Sequence, residues 1–184
     1  SHGDDELFTR QELIEKFDWS GCGREGARYD DKKFLNVQAH HLRALDGPTL
    51  ARCALPFTEK NGLAIDPADP RLVPAVETVR LRAETHADVA LMIDYYFREP
   101  PVQEEKAARK FLAPKYLENL EKFRELVAAQ ERFDPATLDA AATIWMETHG
   151  LGWKDYAQTV RVALSGRSAT PGLFEVMAVL GKER

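Results

Sequence analysis

The chain has 184 residues, 44% hydrophobic and 30% charged, with a formal net charge of −5 at pH 7. That composition is globular rather than disordered, and the length allows one sizeable core or two small ones. The acidic balance argues against unspecific nucleic-acid binding over a broad basic surface, and no apolar run approaches the roughly 20 residues that span a bilayer, so no membrane partner is expected.

Ser1-His2-Gly3 is followed by no apolar run of signal-peptide type, and residues 1–5 read as a tag scar or linker. Thr9 and Glu12 have the spacing of a capping box, which opens a helix toward Phe17. The loop "SGCGREGARYD" leads into a second helix that starts at Asp30 or Asp31 and runs through Leu42 to Leu45. Its glycines follow no strand pattern, so they read as a turn and not as a phosphate cradle. In "DGPT", Pro48 falls in the first turn of a third helix, which Asn61-Gly62 ends.

Asp69-Pro70 reads as cap and first residue of the next helix, with Pro74 either tolerated in its first turn or moving the start later. Thr85 with Asp88 begins a helix that ends in the aromatic group Tyr95, Tyr96 and Phe97. "REPPVQEE" is the best boundary in the chain, because paired prolines cannot continue a helix. Beyond it, Tyr116, Leu120, Phe123 and Val127 recur at i, i+4, i+7 and i+11, an apolar helical stripe. Asp134-Pro135 opens a helix through Leu138, Ala142 and Trp145 that stops at His149-Gly150. Another follows Gly152, and a last one covers Phe174 to Leu180. Strand signals are nearly absent. The expectation is an all-α fold of two small helical-bundle subdomains in tandem, residues 6–100 and 101–184.

Catalytic signatures are missing. Cys22 and Cys53 lie far apart without CxxC or histidine-spaced partners, so they read as reduced cytosolic thiols and not as a zinc site. His40 and His41 are neighbours on a helix, about 100° apart, and read as one surface and one packed histidine. Ser165 and Ser168 have no base near them in sequence that would make a nucleophile. Trp145 and Trp153 read as packing residues. No catalytic residue, metal or cofactor is expected in this chain.

The closing stretch, "VRVALSGRSATPGLFEVMAVLGKER", is different. From Leu151 onward, Lys154, Arg161, Arg167, Lys182 and Arg184 outnumber Asp155, Glu175 and Glu183, a net +2 that leaves −7 on the 150 residues before them. Thr170-Pro171-Gly172 is a rigid turn in which proline fixes φ and glycine permits close backbone approach. It leads into a helix N-terminus, which favours anions. Arg161 and Arg167 bracket it, and arginine both stacks on a base and reads its edge. On the residues alone, a packing corner between two helices stands beside the nucleic-acid reading.

The same stretch is similar to the C-terminal end of bacterial glutamyl-tRNA synthetases, which follows a pattern like LRxALTGxxxxPGLFExxxxLGKE. Upstream, "LFTRQELIEKFDWSGCGREGARYDDKKFLNVQAHHLR" resembles the family's segment ending in FDxxKLxWLNxxHIR. "VRLRAETHADVALMIDYYF" looks like its helix pair around an Arg-x-x-Thr junction, and "YLENLEKFRELVAAQERFDPATLDAAATIWMETHGLGWKDYAQTVR" like its last subdomain. The likeness covers nearly the whole chain after residue 5. Phe34-Leu35-Asn36 departs from it, having no tryptophan, and "GCGREG" replaces a Ser/Lys-rich loop.

The resemblance implies an all-helical anticodon-binding region whose partners are the tRNA(Glu) anticodon loop and the catalytic core of a cytoplasmic parent, a glutamate–tRNA ligase. Arg161, Thr170, Pro171 and Leu173 match the family's terminal anticodon-binding motif. Arg82 matches an arginine that helps to separate glutamate from glutamine tRNAs. Arg167 is added on its own chemistry. HIGH-type and KMSKS-type motifs are absent from the chain, so ATP and Mg2+ are expected to serve the full-length parent only. The competing reading is a free-standing helical adaptor that binds protein partners through residues 134–184 without RNA.

Overall fold

A computed structural model describes residues 7–23, 26, 28–100 and 104–184. Residues 1–5 lie outside the described residues, as do parts of the "GCGREG" loop and residues 101–103 of the proline-rich boundary. Among the described residues there is no strand, and the fold is all-α.

The first half holds α1 (Arg10–Lys16), α2 (Asp31–Ala44), α3 (Gly47–Lys60), α4 (Leu72–Val79) and α5 (His86–Met92). Local chemistry starts most of them as expected. Thr9 and Glu12 form the capping box of α1, Asp30 accepts from the amides of Lys32 and Lys33 at the head of α2, and Asp46 accepts from Thr49 at the head of α3. Gly62 follows α3 at φ 74°, the left-handed region that glycine enters without a Cβ clash. Arg80 closes the C-terminal end of α2 by donating from Nη1 to the Leu45 carbonyl at 2.6 Å.

In this half one of the two starts open to α4 is taken, the later one, and one expected helix end is corrected. Helix α4 starts at Leu72, two residues later than the Asp69-Pro70 reading. A helix begun at Pro70 would need an amide hydrogen at residue 74. From Leu72, Pro74 is the third helical residue, where the amide is unpaired in any helix. Asp69 instead holds Arg71, accepting from its amide, its Nε and its Nη2. Helix α5 keeps its Thr85–Asp88 capping box but stops at Met92, and Tyr95 and Tyr96 lie in a separate 3-10 turn, Asp94–Tyr96. There the Leu91 carbonyl, which a continuing α-helix would offer to residue 95, accepts from Arg167.

The second half holds α6 (Glu105–Phe111), α7 (Leu117–Ala128), α8 (Pro135–His149), α9 (Trp153–Ser165) and α10 (Leu173–Leu180). Helix α6 carries no signal in the sequence: it is short, has no side-chain cap and buries only Ala107. Asp134 caps α8 through the Thr137 amide, and Gly150 ends it at φ 63°.

Two apolar clusters form the interior. Leu42, Leu50, Val76, Val79, Val89 and Tyr96 anchor the first, and Phe123, Val127, Leu138, Ala142, Tyr156 and Val160 anchor the second. Helix α10 belongs to both. Val176 and Leu180 join the first cluster, while Leu173, Phe174 and Met177 join the second. A helix wedged between two cores must be apolar on nearly all sides, and Glu175 is its exposed residue. This wedge brings the loop before α10 against the 79–95 segment.

Candidate nucleic-acid interface

The loop between α9 and α10 is built from its own polar groups. Gly166 turns the chain at φ 69° and donates its amide to the Val162 carbonyl. The buried Ser165 hydroxyl donates to the Arg161 carbonyl at 2.7 Å and accepts from the Arg167 amide at 3.1 Å. Both bonds pin the end of α9 to the loop. Thr170 is 6% exposed; its hydroxyl accepts from Arg161 Nε at 2.9 Å and donates to the Pro171 carbonyl at 3.1 Å.

A cavity of about 400 Å³ opens beside this loop. Arg82, Met92 and Tyr95 line it from the first half, and Arg167, Thr170 and Pro171 from the loop. Four of the six residues singled out from sequence therefore border one hollow. Arg161 reaches it through its bond to Thr170. Leu173 does not reach it: at 7% exposure it packs in the second apolar cluster.

The charges are uneven. Arg82 is exposed and Arg161 half-buried, and among the described residues no carboxylate lies within ion-pair distance of either. Burial lowers the pKa of the Arg161 guanidinium, and the like charge of Arg82 lowers it further. Two like charges thus lie close enough to act on each other. Arg167 is different. It pairs with Asp94 at 2.8 Å and lies over the Tyr95 ring.

The helix-terminus reading is also modified. A Cβ placed on Gly172 would meet the Glu175 carboxylate at 3.0 Å. A negative charge therefore already sits at the start of α10, where the helix dipole favours it, and it opposes a phosphate there.

Tyr95 and Met92, which line the cavity, and Asp94, which pairs with Arg167, are neighbours of the candidate residues that the sequence does not single out. The aromatic run at 95–97 was visible but looked only like a helix end. Elsewhere, His40 and His41 are both exposed, rings edge to face at 5.5 Å, which corrects the expectation that one would be packed. Among the described residues no group of three or more metal-ligating side chains occurs. Trp145 packs edge to face on Tyr156, and Trp153 lies edge to face on Phe174 while staying 38% exposed.

Against this geometry, residues 49–184 match the family model described as "Anticodon binding domain". The chain belongs to that family.

Curated relatives agree. The chain is 36% identical over 184 residues to the glutamate–tRNA ligase of Desulfosudis oleivorans, covering 100% of this chain and 39% of the relative. It is 39% identical over 185 residues to the glutamate–tRNA ligase of Anaeromyxobacter sp. (strain Fw109-5), covering 100% and 38%. The chain thus spans about two fifths of the length of the curated relatives it matches. Among solved structures, a glutamate tRNA ligase from Elizabethkingia meningosepticum CCUG26117 superposes with a TM-score of 0.80 at 20% identity, covering 94% of this chain and 34% of that one. At that identity the likeness shows the fold alone. No described helix is long and apolar enough to cross a membrane.

Proposed function

We propose that this chain recognises the anticodon loop of tRNA(Glu) as the C-terminal part of a glutamate–tRNA ligase. The parent would attach glutamate to the tRNA 3′ end at the expense of ATP, with Mg2+, in a catalytic core outside this chain and in the cytoplasm. Membership of the anticodon-binding domain family favours this reading over the protein-binding adaptor. The observation that carries the assignment to one place is the meeting of Arg82, Thr170 and Pro171 around a single cavity, with Arg161 bonded behind Thr170.

In this reading an unstacked base enters the cavity. Pro171 and Met92 offer apolar contact, Arg82 supplies a planar charged fork for a base edge, and Arg161 orients the Thr170 hydroxyl. Leu173 acts from the core by fixing α10 under the turn. Residues 6–100 and 101–184 serve as two subdomains that share α10. The partner core of the parent would cover the apolar side chains that α1 and its surroundings leave open: Leu13, Ile14, Phe17 and Trp19 are between 53% and 82% exposed.

Titration of the chain with an RNA stem-loop carrying the tRNA(Glu) anticodon tests the reading. Saturable binding that weakens with salt, with a changed anticodon and with Arg82→Ala supports it. Binding indifferent to the anticodon, or no binding at low salt, overturns it and returns the loop to the packing-corner reading.

A further inference from the structure

By its own chemistry, Arg167 is a candidate reader of bases. Its surroundings give it other work. Its backbone amide donates to Ser165 Oγ, and its Nη2 donates to both the Leu91 carbonyl and Asp94 Oδ1, each at 2.8 Å. Its guanidinium lies over the Tyr95 ring, 5.5 Å from the centroid. The side chain is 18% exposed. One face and one edge of the planar fork are therefore already engaged by protein groups.

The partner is equally constrained. Asp94 is a buried carboxylate, 6% exposed in its side chain, and it also accepts from Arg98 at 2.7 Å. Removing one partner of such a pair leaves a charge buried, so the two segments are held firmly. Those segments are the two walls of the cavity, with Met92 and Tyr95 on one side and Thr170 and Pro171 on the other. They are more than 70 residues apart in sequence.

We infer that Arg167 is a positioning residue rather than a reader: by tying Leu91, Asp94 and Tyr95 to the Thr170–Pro171 loop, it sets the width of the cavity and thereby its discrimination between anticodons. The inference rests on the anticodon-binding reading above. Arg82, which lacks a carboxylate partner among the described residues, is the cation left to meet RNA at the cavity, with Arg161 bonded behind Thr170. Lysine would not replace Arg167, because a single ammonium cannot hold a carbonyl and a carboxylate in one plane while lying flat on a ring.

The test uses the whole chain, two RNA stem-loops (the tRNA(Glu) anticodon and a changed anticodon), and the variants Arg167→Met, Arg167→Lys, Asp94→Asn, the Arg167→Met/Asp94→Asn pair, and Arg98→Met. A positioning tie predicts that Arg167→Met and Asp94→Asn each lower the preference for the correct loop by roughly tenfold, with the pair no worse than either alone, as expected for two members of one contact. The slope of affinity against salt should stay at the wild-type value, since no phosphate contact is lost. Arg167→Lys should remain folded and still lose preference, and Arg98→Met should keep it, which separates the tie from the other bond to Asp94. Hydrogen exchange without RNA should quicken at residues 166–170 in both tie variants.

A direct reader predicts otherwise: Arg167→Met loses affinity, Asp94→Asn does not, and exchange at 166–170 is unchanged. That pattern overturns the inference while leaving the anticodon reading intact. Wild-type chain that binds neither stem-loop overturns the anticodon reading itself, and with it the role given to Arg167.

Discussion

Arg161 donates from Nε to the Thr170 hydroxyl across 2.9 Å, linking the last turns of α9 to the turn that begins α10. The hydroxyl passes the interaction on by donating to the Pro171 carbonyl. A half-buried guanidinium is thus aimed by a neutral side chain, with no carboxylate among the described residues to neutralise it. Charge is held in place here without being cancelled.

Replacing Thr170 with valine keeps the shape but removes both bonds and leaves Arg161 Nε unpaired. A donor left unsatisfied at a fully buried site costs about 1–3 kcal/mol; Arg161 is half-buried, so the unfolding temperature should fall by less than that cost implies, and stem-loop binding should weaken. Thr170→Ser retains the hydroxyl and should stay near wild type in both measurements. Equal behaviour of the two variants would show that the hydroxyl plays no part.

Arg82 offers the opposite contrast, being exposed and without a carboxylate partner among the described residues. Arg82→Ala should leave stability within about 0.5 kcal/mol, the usual range for surface changes. It should weaken binding of the tRNA(Glu) stem-loop by about 1–3 kcal/mol if the fork meets a base edge, the magnitude known for bidentate base contacts in DNA. The changed-anticodon loop should lose less. Uniform weakening of both loops, with a shallower salt slope, would mean that Arg82 meets a phosphate.

Most elements were legible because their signals are local. Thr9 with Glu12, Thr85 with Asp88, and Asp134 before Pro135 each bond within three residues, so the sequence shows both partners at once. The start of α4 needed a choice between two prolines that only amide counting decides. Helix α6 was invisible because one buried alanine makes no stripe. Asp94 was invisible for a different reason: its partner Arg167 stands 73 residues away, and nothing in either neighbourhood announces the pairing. Leu173 is a motif residue whose place a core also explains, since it is buried in the second apolar cluster.

Leu173 accordingly makes a separate prediction. At 7% exposure among Tyr156, Phe174 and Met177, it behaves as a core residue. Leu173→Ala should destabilise the fold by about 2–5 kcal/mol, and Leu173→Met by less than about 1.5 kcal/mol. Thermal unfolding checks both. The methionine variant, still folded, should keep stem-loop affinity, whereas a direct contact would lose affinity in proportion to the change of shape.

Tyr95 gives the last prediction, in alkaline solution. Burial raises its phenol well above the ordinary tyrosine value, and neighbouring Tyr96 adds to the rise, while the charge of Arg167 opposes it. Below the unfolded value of about 10 the phenol is protonated in both states, and its contribution to stability is fully present. Above that value the unfolded chain releases the proton and the folded chain keeps it. The native state then binds more protons, so stability falls as pH rises. Denaturant unfolding measured from about pH 9 to 11 should show this decline. Tyr95→Phe removes the titrating group and should flatten the slope, leaving the smaller part due to Tyr96, whose phenol burial also raises. An unchanged slope in Tyr95→Phe would show that this phenol is reached by solvent, and that this wall of the cavity is wetter than the 1% exposure of Tyr95 indicates.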